Sequence, residues 1–180
     1  MSLEKYKVIS IDPSYRRTGV FTDFAVGTPF LFREGYYSSL VKDKLGPLEF
    51  SNLVQVAMFI RDSFVSIYGG VRYRNAVMEY PPPRGSMSPA LFALDTLILE
   101  ELIKISDCIY LVPCNAIKSF LKNQNSKTDI VNFVKGKNKC RGLNHDEASA
   151  VVLYEVVLAK LRGEYSGVIY KLKNGNYERL

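Results

Sequence analysis

The run Tyr6-Lys7-Val8-Ile9-Ser10-Ile11-Asp12 is β-branched and ends on an acid, the pattern of a strand buried in a sheet. Asn75 to Tyr80 repeats it, with Glu79 near the same end. Between them Leu48 to Tyr68 changes period: Phe50, Leu53, Ala57, Ile60, Phe64 and Ile67 recur at three- and four-residue steps, the stripe of an amphipathic helix stopped by Gly69-Gly70. Gly19 to Val26 and Pro29 to Ser39 are further strand candidates, with Gly27-Thr28 suited to a hairpin turn. A helix capped by Ser88 runs to about Ser106 on Leu91, Leu94, Leu97, Ile98 and Leu102, and Cys108 to Val112 is a fifth strand. Helices follow at 115–122, at 126–135 and from His145 to Leu161. Strands separated by helices imply parallel crossovers, and the opening meander adds antiparallel pairs. The expectation is an α/β fold: a mixed five-stranded sheet in the order β-β-β-α-β-α-β-α, with helices on both faces. It fills a single domain over 1–180, with about 165–180 as a C-terminal extension.

Charge narrows the partner. The net charge of +6 lies in residues 113–141, where Lys118, Lys122, Lys127, Lys135, Lys137, Lys139 and Arg141 face one acid, Asp129. The remainder balances, with 17 basic and 17 acidic side chains. A local surplus points to a patch that meets a polyanion; a solvated lysine-rich loop is the plainer reading. No run of 18 apolar residues indicates a membrane span, and Met1 to Lys5 lacks the apolar core of a signal peptide. Cys108, Cys114 and Cys140 lack the spacing of a zinc site and read as reduced thiols. A cytoplasmic location is expected, the host's if a phage encodes the chain. With His145 the only histidine, a multi-histidine metal site is impossible and carboxylates become the obvious ligands.

Acids stand where elements begin or end: Asp12, Glu79, and Asp146 with Glu147 opening the last helix. In open α/β sheets the cleft lies beyond the carboxyl ends of the strands, where Asp12 and Glu79 converge. A helix N-terminus pointed into that cleft delivers Asp146. Clustered carboxylates repel unless cations neutralise them, and hard oxygen ligands suit Mg²⁺ or Mn²⁺. Each acid also has a plainer reading. Asp12 before Pro13-Ser14 starts a turn, and Asn144-x-x-Glu147 fits a capping box. Glu79, inside an apolar strand, needs a partner or an ion. Helical spacing groups Asp146 with Ala150, Leu153 and Val157, and Glu147 with Val151, Tyr154 and Leu158. Both faces are apolar, so periodicity does not choose between the two acids. His145 at the helix start reads as structural.

The stretch Ile11-Asp12-Pro13-Ser14-Tyr15-Arg16-Arg17-Thr18-Gly19 resembles the Asp-Pro-x-x-Arg-x-Thr-Gly motif that follows the first strand of RuvC-type Holliday junction resolvases. Val77-Met78-Glu79-Tyr80 is similar to that family's second acidic motif, Lys127 in Asn125-Ser126-Lys127-Thr128 resembles its lysine, and Asp146-Glu147-Ala148-Ser149-Ala150 resembles its closing Asp-x-x-Asp-Ala motif. The resemblance spans residues 5–160 and implies an RNase H-like fold, a homodimer and paired symmetric nicks across a four-way DNA junction. It implies catalytic roles for Asp12, Glu79, Asp146, Glu147 and Lys127. Asp12, Glu79 and Asp146, with Glu147 and Ser149, would form the metal site for one or two Mg²⁺ per subunit, with Mn²⁺ as a substitute. Ser14 stands in place of a glycine, and Ser149 in place of the last aspartate. Either Glu147 substitutes for that aspartate or the site works with three acids.

Arg16, Arg17, Tyr80, Arg84, Lys118, Lys122, Lys127, Lys135, Lys137, Lys139 and Arg141 are the candidate DNA contacts. Tyr80 either stacks on an unpaired base or packs on the adjoining triproline. The leading expectation is a Mg²⁺-dependent endodeoxyribonuclease in which a metal-activated water hydrolyses a phosphodiester. A branched-DNA-binding module with a decayed site is the alternative. An actin-like ATPase or sugar kinase ranks last, because such proteins pair two related domains; no nucleotide cofactor is expected.

Overall fold

The computed structural model describes residues 8–15, 18–22, 26–27, 50–80, 89–122, 126–137 and 143–180. Strands β1 (Val8–Asp12), β2 (Gly19–Thr22) and β3 (Val26–Gly27) open the chain. Then come helix α1 (Phe50–Tyr68), β4 (Tyr73–Tyr80), α2 (Pro89–Ile105) and β5 (Ser106–Pro113). Helices α3 (Cys114–Phe120), α4 (Lys127–Lys137) and α5 (His145–Leu161) precede a final pair, β6 (Tyr170–Lys173) and β7 (Asn176–Arg179). The strands form one sheet in the order β3-β2-β1-β4-β5-β6-β7. Pairs β1–β4 and β4–β5 are parallel, and the others antiparallel.

Each face of the sheet has its own core. On one, α1 and α2 cover Ile9, Ile11, Ala76, Met78, Ile109 and Leu111. On the other, α3, α4 and α5 cover Val77, Tyr110 and Val112. Leu94, Ile98 and Leu102 of α2 are fully buried, each worth about 1.5–3 kcal/mol of removed apolar surface. The mixed α/β reading thus holds, with helices on both faces.

Three expectations need correction. The sheet has seven strands rather than five, because Tyr170–Lys173 and Asn176–Arg179, within the expected C-terminal extension, join it as the hairpin β6–β7. Asn174 and Gly175 turn that hairpin with φ of 52° and 76°, the left-handed pair of a tight two-residue connection. The Asn-Gly signal between alternating residues was present in the sequence and outweighs Gly27-Thr28. Gly27 itself is a strand residue paired with Val20, not a turn; the candidate strand Pro29 to Ser39 lies outside the described residues, as does the Ser88 cap. In α1 the buried stripe is Ala57, Ile60, Phe64 and Tyr68, while Ile67 is 52% exposed. The four-residue step from Phe64 keeps the helical phase that Ile67 leaves. Among the described residues no helix is long and apolar enough to cross a membrane.

Candidate active site at the ends of the central strands

Strands β1 and β4 run side by side, with Ser10 opposite Val77 and Ile11 opposite Met78. The next residue on each is Asp12 and Glu79. Alternation turns Ser10, Asp12, Val77 and Glu79 toward the face that α5 covers: Val77 lies in that core, and the Ser10 hydroxyl donates to the Ala150 carbonyl over 2.6 Å. Gly19, opposite Asp12 in the β1–β2 ladder, brings α5 closer still. A Cβ there would stand 2.0 Å from the Asp146 carbonyl oxygen and 2.8 Å from the Glu147 nitrogen. The buried Thr18 closes the loop before it: its hydroxyl donates to the Ser14 carbonyl at 3.0 Å and accepts from the Ser14 amide at 3.2 Å. The Thr-Gly pair of the first motif is therefore a backbone device that seats the start of α5 over Asp12.

At the N-terminus of α5 the capping box is complete. The Glu147 amide donates to Asn144 Oδ1 at 2.9 Å, and the Asn144 amide donates to Glu147 Oε2 at 3.0 Å. Glu147 is thus held in the cap, while Asp146 faces the strand ends beside His145, whose Nδ1 is 3.6 Å from its carboxylate. Asp12 shares a hydrogen bond with Glu79 and accepts another from the buried Ser149 hydroxyl. Burial first, then the charge and hydrogen bond of Glu79, then Asp146, push the Asp12 carboxyl well above the ordinary carboxylate range, and Ser149 opposes them. Burial also pushes Glu79 up, against the hydrogen bond from Asp12 and the nearby His145.

Sequence reasoning passed over two neighbours of Glu79. Asp95 of α2 is only 9% exposed, and its carboxyl is pushed up to about 7 by burial and then by the charge of Glu79. Its spacing from Leu91, Ile98 and Leu102 places an acid inside an apolar helical stripe, the same costly placement that singled out Glu79. Burial, then the charge of Glu79, also raises the Cys114 thiol, at the start of α3.

The structure thus brings together Asp12, Glu79, Asp146 and Ser149, with Asp95 near Glu79. Among the described residues, no three of His, Cys, Asp and Glu stand close enough to enclose an ion. Lys127 opens α4 and is exposed, as are Lys118 of α3, Lys122 in the turn after it and Lys135 of α4; among the described residues no hydrogen bond or ion pair ties them to the carboxylates. Lys137 ends α4. Arg16, Arg17, Arg84, Lys139 and Arg141 lie outside the described residues, as does the triproline. The ring of Tyr80 meets Tyr170 of β6 at 6.0 Å and 63°, a partner the sequence reading did not supply.

The mixed sheet, with helices on both faces and α5 seated over the ends of β1 and β4, is compatible with the RNase H-like class of mixed α/β folds. Within that class the chain has the fold of RuvC. It matches a structure of Thermus thermophilus RuvC in complex with a Holliday junction substrate at 11% identity and a TM-score of 0.60, covering 88% of this chain and 97% of that one. A second Thermus thermophilus RuvC structure matches at 14% identity and a TM-score of 0.57, over the same shares. No protein-family model and no curated protein matches the sequence.

Proposed function

We propose that the chain is a Mg²⁺-dependent, structure-selective DNA endonuclease that resolves four-way junctions by paired symmetric nicks. The observation that carries this reading is the pairing of Asp12 with Glu79 at the ends of β1 and β4, with the charge of Asp146 acting on them from α5. Two carboxylates that share a hydrogen bond need a proton between them, and a divalent cation supplies the same neutralisation. Asp12 and Glu79 are the residues that would hold it, with Asp146 adding charge from α5; their hard oxygens suit Mg²⁺ or Mn²⁺. When bound, such an ion activates water and stabilises the leaving oxygen of a phosphodiester. The chain's own part is to fix the acids on rigid elements, to keep Asp146 within reach through Gly19, and to grip phosphates through the lysines of α3 and α4. Lys127 is the lysine assigned to the scissile phosphate.

A two-fold substrate suits a two-fold enzyme, and Phe59 of α1 and Phe92 of α2, 54% and 61% exposed, offer apolar surface for a homodimer. Asp12→Asn is expected to abolish nicking of a four-way junction in Mg²⁺ while leaving junction binding within about threefold, because the phosphate grip lies elsewhere. Undiminished nicking by this variant would remove Asp12 from the site. A branched-DNA-binding module without catalysis is the second reading, favoured by one observation: the hydrogen bond to Asp12 comes from Ser149, at the position where the motif has a carboxylate. A retarded junction complex that yields no nicked duplex in Mg²⁺ or Mn²⁺ would select it.

A further inference from the structure

Helix α2 ends at Ile105 and passes directly into β5 at Ser106, so its last turn stands at the amino ends of β4 and β5. Strands β6 and β7 carry the sheet on past it. Between the end of α2 and the hairpin lies a hollow of about 550 Å³, a volume that takes a small ligand or a bulky side chain. Ile103 of α2, 53% exposed, forms one wall. The buried Ile109 and the half-buried Leu172, opposite each other in the β5–β6 ladder, form the floor. Ile109 shares the α1–α2 core with Ala76 and Met78, and Leu172 packs against it.

The rim of this hollow is basic. Arg72, Arg74 and Lys173 border it against a single acid, Asp107. Arg72 is fixed in place: its Nε and Nη2 donate to Asp107 Oδ1 at 3.0 Å and 2.6 Å, and its Nη1 donates to the Lys104 carbonyl at 2.9 Å. Arg74 is exposed, and two residues before Ala76 on β4 it shares that residue's face. It stands five residues before Glu79, about 16 Å at ~3.3 Å per residue, and on the face opposite to the one that α5 covers. The hollow is therefore separate from the acids, and it can be filled while the cleft is in use.

The chemistry of the lining selects the occupant. An isoleucine–leucine floor rewards a bulky apolar side chain, and guanidinium groups pair in a planar, two-bonded way with carboxylates. A hydrated phosphate chain gains nothing from that floor, and among the described residues no aromatic ring lines the hollow for a base to stack on. We propose that the hollow docks a partner protein through a short acidic peptide segment. Its apolar side chain enters between Ile103 and Leu172, and its carboxylates meet Arg72 and Arg74. Arg72, already ordered by Asp107 and the end of α2, loses little freedom on binding. This site goes beyond the endonuclease reading and does not depend on it.

The test uses the full chain and a set of fluorescein-labelled peptides with aspartates on either side of one leucine, isoleucine or phenylalanine, read by fluorescence anisotropy. At least one should bind, and its counterparts with lysine for aspartate or alanine for the apolar residue should not. Arg74→Glu and Ile103→Asp should each weaken that binding about tenfold, the loss of one anchoring contact. Both side chains are exposed, so the variants should melt within a few degrees of the wild type and bind four-way DNA as it does. Failure of every peptide to bind overturns the proposal, as does binding that both variants leave intact. A single-stranded oligonucleotide that binds more tightly than the peptides and is lost in the same two variants would assign the hollow to nucleic acid instead. Peptide binding is read without DNA or Mg²⁺. A chain that nicks junctions but binds no peptide therefore loses only this site, and one that binds peptide without nicking loses only the endonuclease reading.

Discussion

At position 19 a side chain has nowhere to go: its Cβ would lie 2.0 Å from the main-chain oxygen of Asp146, and a backbone atom cannot swing aside. Gly19→Ala must therefore push α5 away from β2. The expected cost is about 3 kcal/mol, the upper end for overpacking, read as a lower urea midpoint. Nicking should fall with it, because Asp146 moves with the helix. A midpoint unchanged within 0.3 M would show that the contact is not tight. The buried acids set a pH dependence at the same scale. Folded, Asp95 keeps its proton up to about pH 7, whereas its ordinary value is 3.8. The folded state holds the extra proton between those values, so the stability it contributes is present below them and is lost as the pH rises through 7. Asp12 and Glu79 shift in the same direction. In EDTA the protein should thus melt at a higher temperature at pH 5 than at pH 8, and Asp95→Asn should narrow the gap. A melting temperature that rises from pH 5 to pH 8 and is insensitive to this substitution would contradict the assignment.

Among the elements, the hairpin β6–β7 has the clearest energetic signature. Ile169, just before β6, is fully buried and exchanges backbone hydrogen bonds with Leu180, 2.9 Å and 3.4 Å long. Ile169→Ala should cost about 2–5 kcal/mol, measured by denaturant unfolding; a cost below 1 kcal/mol would mean that the hairpin contributes little to the core. The central strands were legible because Val8 to Asp12 and Asn75 to Tyr80 must be apolar on both faces, a demand visible in any single strand. Helix α5 was legible from its cap, since Asn144 and Glu147 satisfy each other locally. What escaped depends on distant partners: Tyr80 against Tyr170, Ser10 against Ala150, and Asp95 near Glu79 join residues far apart in the chain. No periodicity reports such pairs. The same limit applied to Asp146 and Glu147, whose helix faces are equally apolar; the capping hydrogen bonds, not the spacing, separate them.

Across the whole molecule, charge is divided by structure. The carboxylates gather at the strand ends, while Lys118, Lys122, Lys127 and Lys135 are exposed on α3, the turn after it and α4, the helices that share a core with α5. DNA held by these lysines should release counterions, so junction affinity should fall steeply with salt. Replacing all four by alanine should flatten the slope of log affinity against log salt by roughly 3–4, at about 0.9 per phosphate contact. A slope unchanged by the fourfold variant would place the grip elsewhere.

The seating of α5 on β2 has a consequence for how such a site changes over time or by design. Asp12 is paired with Gly19, and Gly19 touches the peptide group of Asp146. The gap between the two acids is therefore gauged by main chain against main chain. Side chains around it are free to be exchanged wholesale, provided that a residue without a Cβ stays at the point of contact. A grafted copy of this centre would need that bare peptide-to-peptide touch before it needed any particular neighbour.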